Sequence, residues 1–486
     1  MTDSHSDLHS VTQTEVPSDV ATDAQDIIEN ITYAEMSIGQ SARLCRTLTE
    51  NDIAAFAAVS GDINPAHVDT EYADHTLFHG VIAHGMWGAA LISRLLGTVL
   101  PGPGTIYLSQ TLQFLKPVRI GDELRITATV TAKDDAKRHV LLDCEIKNQT
   151  GAVVLTGVAT VIAPSEKVRR PRTQLPPLYM PSRHHYTSLL ASVAHLPAVR
   201  CAVVHPCDAA ALRGALDAAK RGLIIPVLIG PEQKIRAVAA EAACDLAGVE
   251  LIDVPHSHAA AARAVQLAAS GNVEMLMKGS LHTDELISAV LAEPALRTKS
   301  RLSHVFRLEV PMYDKVLLIS DGALHIQPTL DDKVDIIRNA ITLAHALGTA
   351  LPKVAILSAV ETVTPKIPST LDAAALCKMA ERGQITGAEL DGPLAFDNAI
   401  SPAAARAKGI VSNVAGHADI LIAPDLEAGN LLAKQLEYLA GAAVCGVVLG
   451  ATVPIALTSR ADVAESRTAS AALALLLAHS YRQQRP

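Results

Sequence analysis

The 486-residue sequence predicts two domains of different class: an α+β domain, then a larger two-lobed α/β domain with parallel sheets. Three observations carry this reading. Met86 to Leu96 is apolar nearly all round (Trp87, Ala89, Ala90, Leu91, Ile92, Leu95, Leu96), which implies a helix wrapped by a sheet. Four β-rich runs with turn signals between them follow that helix, as in an antiparallel meander. Beyond a Pro- and Arg-rich stretch, short apolar runs alternate with Ala-rich helical ones, the pattern of βαβ units.

Composition agrees and excludes several classes. Apolar residues make up 49% but aromatics only 3%, which suits helices packed on parallel sheets better than a β-sandwich. A net charge of -9 with no long basic run argues against nucleic acid as a partner. The seven cysteines include no CxxC pair, so reduced, buried thiols in a cytoplasmic protein are expected. Gly441 to Thr458 is apolar enough to imitate a membrane span. Gly446, Gly450 and Pro454 interrupt it, and two short buried strands are expected instead.

In chain order, residues 1–30 are polar and read as a disordered tail, not a signal peptide. Residues 31–163 form the first domain, with strands predicted over Ile106–Leu115, Leu124–Ala132, His139–Lys147 and Val153–Ile162. Residues 164–182, with Arg169-Arg170-Pro171-Arg172 and Pro176-Pro177, read as a linker. Residues 183–486 alternate strands with helices, such as those expected over Asp208–Lys220, Ser257–Ala269, Lys333–Leu347 and Val463–Tyr481.

Chemistry concentrates first in Ser60-Gly61-Asp62-Ile63-Asn64-Pro65-Ala66-His67. Gly61 permits a bend, and Pro65 restrains Asn64 to extended or turn geometry, so no regular helix is expected here. A carboxylate and an imidazole, with ordinary pKa values of about 3.9 and 6.5, can divide acid and base work on such a turn. The same spacing also fits a capped Asx/Pro turn with a surface histidine.

The stretch resembles the signature of the MaoC-like (R)-specific enoyl-CoA hydratases, of hotdog fold. The resemblance implies that Asp62 and His67 activate one water and protonate the α-carbon of a trans-2-enoyl thioester, with Asn64 supporting the turn. It also implies an oxyanion donor at the backbone N–H of Gly85, in Ile82-Ala83-His84-Gly85-Met86, where a helix N-terminus suits a developing enolate. Hotdog domains usually dimerise and build the acyl-CoA tunnel between subunits, so at least a homodimer is expected.

A second set of polar groups lies at predicted strand ends, where open α/β sheets place ligands. Thr458-Ser459-Arg460-Ala461-Asp462 is one: a hydroxyl, helix N–H groups and a guanidinium there can hold a phosphate, or simply cap a helix beside a surface arginine. With Lys278 to Glu285, Leu302 to Phe306, Ser369 to Ala374 and Asp391 to Ala399, it resembles the phosphate acetyl/butyryltransferases over nearly all of 183–486.

That resemblance implies acyl exchange between coenzyme A and phosphate, with no metal and no tightly bound cofactor. Ser459 and Arg460 match the pair at the reacting groups, and Lys278, Thr283, Asp397, Asn398, Glu465 and Arg467 are the candidates for substrate binding. Acetate-specific members carry an Asp as base where this chain has Ser466, so either Glu465 substitutes or cations such as Arg467 stabilise the thiolate. Together the two halves imply a bifunctional acyl-CoA enzyme. The alternatives are a transferase with a CoA-binding or dimerising first domain, and a non-catalytic acyl-phosphate or CoA sensor. Neither membrane nor nucleic acid is an expected partner.

Overall fold

The computed structural model describes residues 27–173, 186–458 and 462–483, with the backbone of 13–15. The chain divides into two compact units, residues 1–180 and 181–486.

In the first unit, β1 (Gln13–Glu15), β2 (Ile27–Glu29) and β3 (Ser41–Thr47) precede four helices, α1 (Glu50–Ser60), α2 (Pro65–Val68), α3 (Thr70–Asp74) and α4 (Gly85–Thr98). Then come β4 (Ile106–Gln110), β5 (Gln113–Phe114), β6 (Glu123–Asp134), β7 (His139–Lys147), β8 (Val153–Ile162) and β9 (Arg169–Pro171). The main sheet has the order β1-β3-β6-β7-β8-β4, with β5 also on β8. All its pairs are antiparallel except β1 with β3.

Alternation drives this sheet. In β6, Leu124, Ile126, Ala128 and Val130 are buried, and in β7 Val140, Leu142, Cys144 and Ile146 are. They close over α4, whose Trp87, Leu91, Ile92, Leu95 and Leu96 complete one core. Each such side chain contributes roughly 1.5–3 kcal/mol. The helix packs close because Gly88 lies under Leu155; a Cβ there would stand 3.3 Å from its Cδ1. This is the hotdog arrangement.

Three expectations for this unit need correction. The tail is not wholly unstructured, since β2 pairs with β9 and Asn30 bonds Pro103, Glu166 and Val168. For the same reason the linker contains a strand; its residues 174–182 fall outside the described ones. The Asp62–His67 stretch includes one helical turn, α2, because Pro65 sits at its first position, where no amide donor is needed.

The second unit runs through α5 (Thr187–Val193), β10 (Val199–Val204), α6 (Ala209–Lys220), β11 (Ile224–Gly230), α7 (Glu232–Glu241), β12 (Glu250–Asp253) and α8 (Ser257–Ala269). It continues with β13 (Met275–Lys278), α9 (Thr283–Ala292), β14 (Ser303–Glu309), β15 (Leu317–Ser320), α10 (Leu330–Ala346), β16 (Lys353–Leu357) and α11 (Pro368–Glu381). Last come β17 (Glu389–Leu394), α12 (Phe396–Ile400), α13 (Pro402–Ala407), β18 (Ile420–Ile422), α14 (Leu426–Ala440), β19 (Ala443–Leu449), β20 (Ile455–Ala456) and α15 (Ala464–Gln483).

One eleven-stranded sheet carries both lobes, in the order β12-β11-β10-β13-β20-β19-β14-β15-β18-β16-β17. Each end is a parallel block, as expected. The middle is not: β14 runs antiparallel to β15 and β19, and β19 to β20, so the sheet is mixed. The apolar Gly441 to Thr458 stretch is β19 and β20, and among the described residues no helix is long and apolar enough to cross a membrane.

Candidate active sites

In the first unit, α1 begins with a reciprocal capping box between Thr49 and Asp52 and ends at Gly61 in the left-handed region, φ 74°. That termination turns the chain into the Asp62 segment. The Ser60 hydroxyl accepts from the Asp62 N–H at 3.1 Å, and the Asp62 carboxylate accepts from Asn64 N–H at 3.3 Å. Asn64 caps α2 through Ala66 N–H at 3.1 Å, which puts His67 one turn further on.

His67 Nδ1 donates to the Ile82 carbonyl at 2.8 Å, leaving Nε2 as the ring's acceptor. Gly85 is the first residue of α4, so its N–H has no acceptor within the helix. A Cβ on Gly85 would come within 2.9 Å of the Phe114 ring, which keeps this approach to the backbone narrow. Asp62, His67 and Gly85 all line one cavity of about 630 Å³, whose other walls include Phe56, Phe78, Trp87, Phe114 and Leu155. Such a cavity combines apolar walls with a carboxylate, an imidazole and a helix-start N–H, groups able to move a proton and to hold a developing oxyanion.

His84, which the sequence alone assigns no role, borders the same groups. It is 2% exposed, lies against His67 with ring centroids 4.0 Å apart, and donates from Nε2 to the Asp62 carbonyl at 2.9 Å. Donor atoms of Asp62, His67 and His84 fall within 4.8 Å of one another, a spacing also compatible with a shared cation.

In the second unit, a cavity of about 430 Å³ opens where the parallel block meets the antiparallel strands. Lys278 at the end of β13, Thr283 at the start of α9 and Thr458 after β20 line it. Lys278 is buried and its ammonium lies 3.4 Å from the Thr458 carbonyl. Ser459 and Arg460 lie outside the described residues, between two residues that line this cavity, Thr458 and Asp462.

The remaining candidates are placed elsewhere. Arg467 is buried in α15, its Nη1 donating to Thr458 Oγ1 at 3.0 Å and its Nε to the Asp462 carbonyl at 3.4 Å. Glu465 is exposed in the first turn of that helix, and Ser466 is spent on Tyr186, hydroxyl to hydroxyl at 2.8 Å. Asp397 pairs with Lys408, and Asn398 donates to Glu361 at 3.4 Å; neither lines the cavity.

Lys434, which no sequence motif singled out, also lines the cavity, as do His304 and Phe306 from the Leu302 to Phe306 stretch, to which no individual role was given. His304 is fully enclosed and packs edge-on against Phe306 at 4.3 Å; burial pushes its pKa down to about 4. Burial pulls the Lys434 ammonium down too, but Glu437 and Asp462 outweigh it and leave its pKa raised. Burial pushes the thiols of Cys144, Cys377 and Cys445 up to about 12, so these three are not activated.

The second unit's ancestry is decided by comparison. The profile described as "Phosphate acetyl/butaryl transferase" matches residues 256–475. A phosphate acetyltransferase of Rhizobium meliloti is 60% identical over 295 residues, 60% of this chain and 93% of that protein. The chain belongs to the phosphate acetyl/butyryltransferase family. Its first unit is an added MaoC-like domain, whose profile matches residues 34–150.

The family contains both acyl classes at moderate distance. A phosphate butyryltransferase of Clostridium acetobutylicum is 40% identical over 294 residues, 60% of this chain and 98% of that protein. Among solved structures, a branched-chain phosphotransacylase from Enterococcus faecalis V583 aligns over 58% of this chain and 99% of its own, with 30% identity and a TM-score of 0.51.

Proposed function

We propose that this chain is a bifunctional acyl-CoA enzyme, which hydrates short trans-2-enoyl-CoA reversibly to (R)-3-hydroxyacyl-CoA and exchanges an acetyl or butyryl group between coenzyme A and phosphate. The observation that carries the double reading is that each unit has its own lined cavity, Asp62, His67 and Gly85 in one and Lys278, Thr283 and Thr458 in the other.

In the hydration, one water donates to the Asp62 carboxylate and to His67 Nε2. The water gives one proton to this pair as its oxygen bonds to C3 of the enoyl group, the enolate oxygen so formed is held by the Gly85 N–H, and the pair then passes that proton to C2, which restores its starting state. In the exchange, a phosphate oxygen attacks the thioester carbonyl, the C–S bond breaks, and the leaving thiolate takes a proton to become coenzyme A. Lys278 and Arg460 supply positive charge for the phosphate, and Ser459 a hydroxyl beside it. Ser466 is bonded to Tyr186 and offers no carboxylate, so either Glu465 serves as the base or cations such as Arg467 stabilise the thiolate.

The MaoC-like unit is proposed to act as a homodimer or larger assembly, in the cytoplasm. Tethering two enzymes that share a CoA thioester raises the local concentration of one product at the other site. The test is a pair of assays on the purified chain: loss of enoyl absorbance with crotonyl-CoA, and phosphate-dependent CoA release from acetyl-CoA and butyryl-CoA. Both activities are expected, with an (R)-configured hydration product. Absence of hydration with short and longer enoyl-CoAs would leave a transferase with a binding module.

A further inference from the structure

We infer that His84 is a positioning residue for the hydration: it pins the Asp62 turn to the start of α4, so that the carboxylate, the His67 imidazole and the Gly85 N–H keep one register. This rests on the hydration reading above.

The three groups are anchored at different points of the chain. His67 takes its orientation from the Ile82 carbonyl, and the Gly85 N–H is fixed as the first amide of α4. Asp62 stands on a non-helical segment between α1 and α2, held from within only by the Ser60 and Asn64 bonds. The bond that ties this segment to the residues just before Gly85 is His84 Nε2 to the Asp62 carbonyl. Ile82, His84 and Gly85 therefore hold, in sequence, the imidazole, the carboxylate turn and the oxyanion donor.

The ring is committed to this task. Because a carbonyl can only accept, Nε2 carries the ring proton, and Nδ1 is buried without a partner. Its faces are filled by His67 at 4.0 Å and Phe56 at 5.0 Å between centroids. It makes no capping bond to α4, so replacing it removes no helix cap. A displacement of about 1 Å at a reacting group can cost roughly a hundredfold in rate.

The experiment compares His84→Met, which fills the space without a donor, with His84→Gln, whose amide can reach the carbonyl, each alone and with Asp62→Asn. Crotonyl-CoA hydration is followed, together with butyryl-CoA affinity and the fluorescence of Trp87, the chain's single tryptophan. The expected result is a fall in kcat of about tenfold or more for His84→Met with KM and affinity within about twofold, substantial recovery in His84→Gln, and no added loss over Asp62→Asn alone. Unchanged kcat in His84→Met, equal loss in both variants, or loss that multiplies with that of Asp62→Asn overturns the inference. Should His84→Met alter Trp87 fluorescence, His84→Asn, too short to reach the carbonyl, replaces it in the same comparison. A wild-type chain without hydration overturns the hydration reading itself, which is a separate outcome.

Discussion

His67 Nδ1 lies 2.8 Å from the carbonyl oxygen of Ile82, so the ring donates to the backbone there and presents Nε2 as its acceptor. Replacing His67 by Gln keeps polarity but not the basic nitrogen. Hydration of crotonyl-CoA is expected to fall by about 10²–10⁴, the usual contribution of a general acid–base group. Phosphate-dependent CoA release measured on the same preparation should not change.

The narrow approach at Gly85 gives a second prediction. In Gly85→Ala the new methyl meets the Phe114 ring at 2.9 Å, and the ring or the helix start must shift. Hydration should fall about tenfold or more. If the loss is steric, adding Phe114→Ala should restore much of it; a double variant as poor as Gly85→Ala would show that the methyl acts on the N–H directly.

A third concerns Arg467, which bonds Thr458 on one side of residues 459–461 and Asp462 on the other. Arg467→Met leaves those oxygens without their guanidinium partner. Loss of a buried charged hydrogen-bond donor costs on the order of 1.5–3 kcal/mol, so the chain should melt earlier and acyl transfer should fall. Arg467→Lys should recover part of the stability and less of the activity, because one ammonium cannot span both partners. Retention of full transfer by the Met variant would remove this role.

Two histidines give pH effects of opposite sign. The hydrogen bond that His325 Nδ1 donates to the Asp321 carboxylate, at 2.8 Å, raises the histidine pKa above its ordinary value of about 6.5. Its stabilisation is present in full below about pH 6.5 and disappears as pH rises through the raised folded value. His304 is pushed down to about 4 by burial, so the unfolded chain takes up a proton first and stability falls as pH drops from about 6.5 to about 4. Thermal melting of His325→Asn should show its largest deficit in acid and little at pH 9, whereas His304→Leu should flatten the acid loss seen in the wild type. The reverse pattern would contradict both assignments.

Much of this was legible in the sequence because local rules and packing agree. β7 and β8 fall on the predicted His139–Lys147 and Val153–Ile162, where alternation and turn residues coincide. β3 was missed because Arg43 and Arg46 interrupt a run in which only Ala42 and Leu44 face the core. Helix α1 was missed although Thr49 and Asp52 form its capping box, a signal lying just ahead of the Asp62 stretch. The direction of β14 is not written in its own residues: Ser303–Glu309 is the same strand whether its neighbours run parallel or antiparallel, and only pairing with β15 and β19 decides it. The same limit left His304 and Phe306 without roles inside the Leu302 to Phe306 stretch, although both line the cavity, and hid the role of His84, whose partner is a backbone atom 22 residues away.

The most direct test of two independent active sites is a cross-comparison of Asp62→Asn and Arg460→Ala in both assays. The account predicts that Asp62→Asn loses crotonyl-CoA hydration and keeps phosphate-dependent CoA release, and that Arg460→Ala does the opposite. If Asp62→Asn leaves every measurable activity of the chain unchanged, the bifunctional account is wrong.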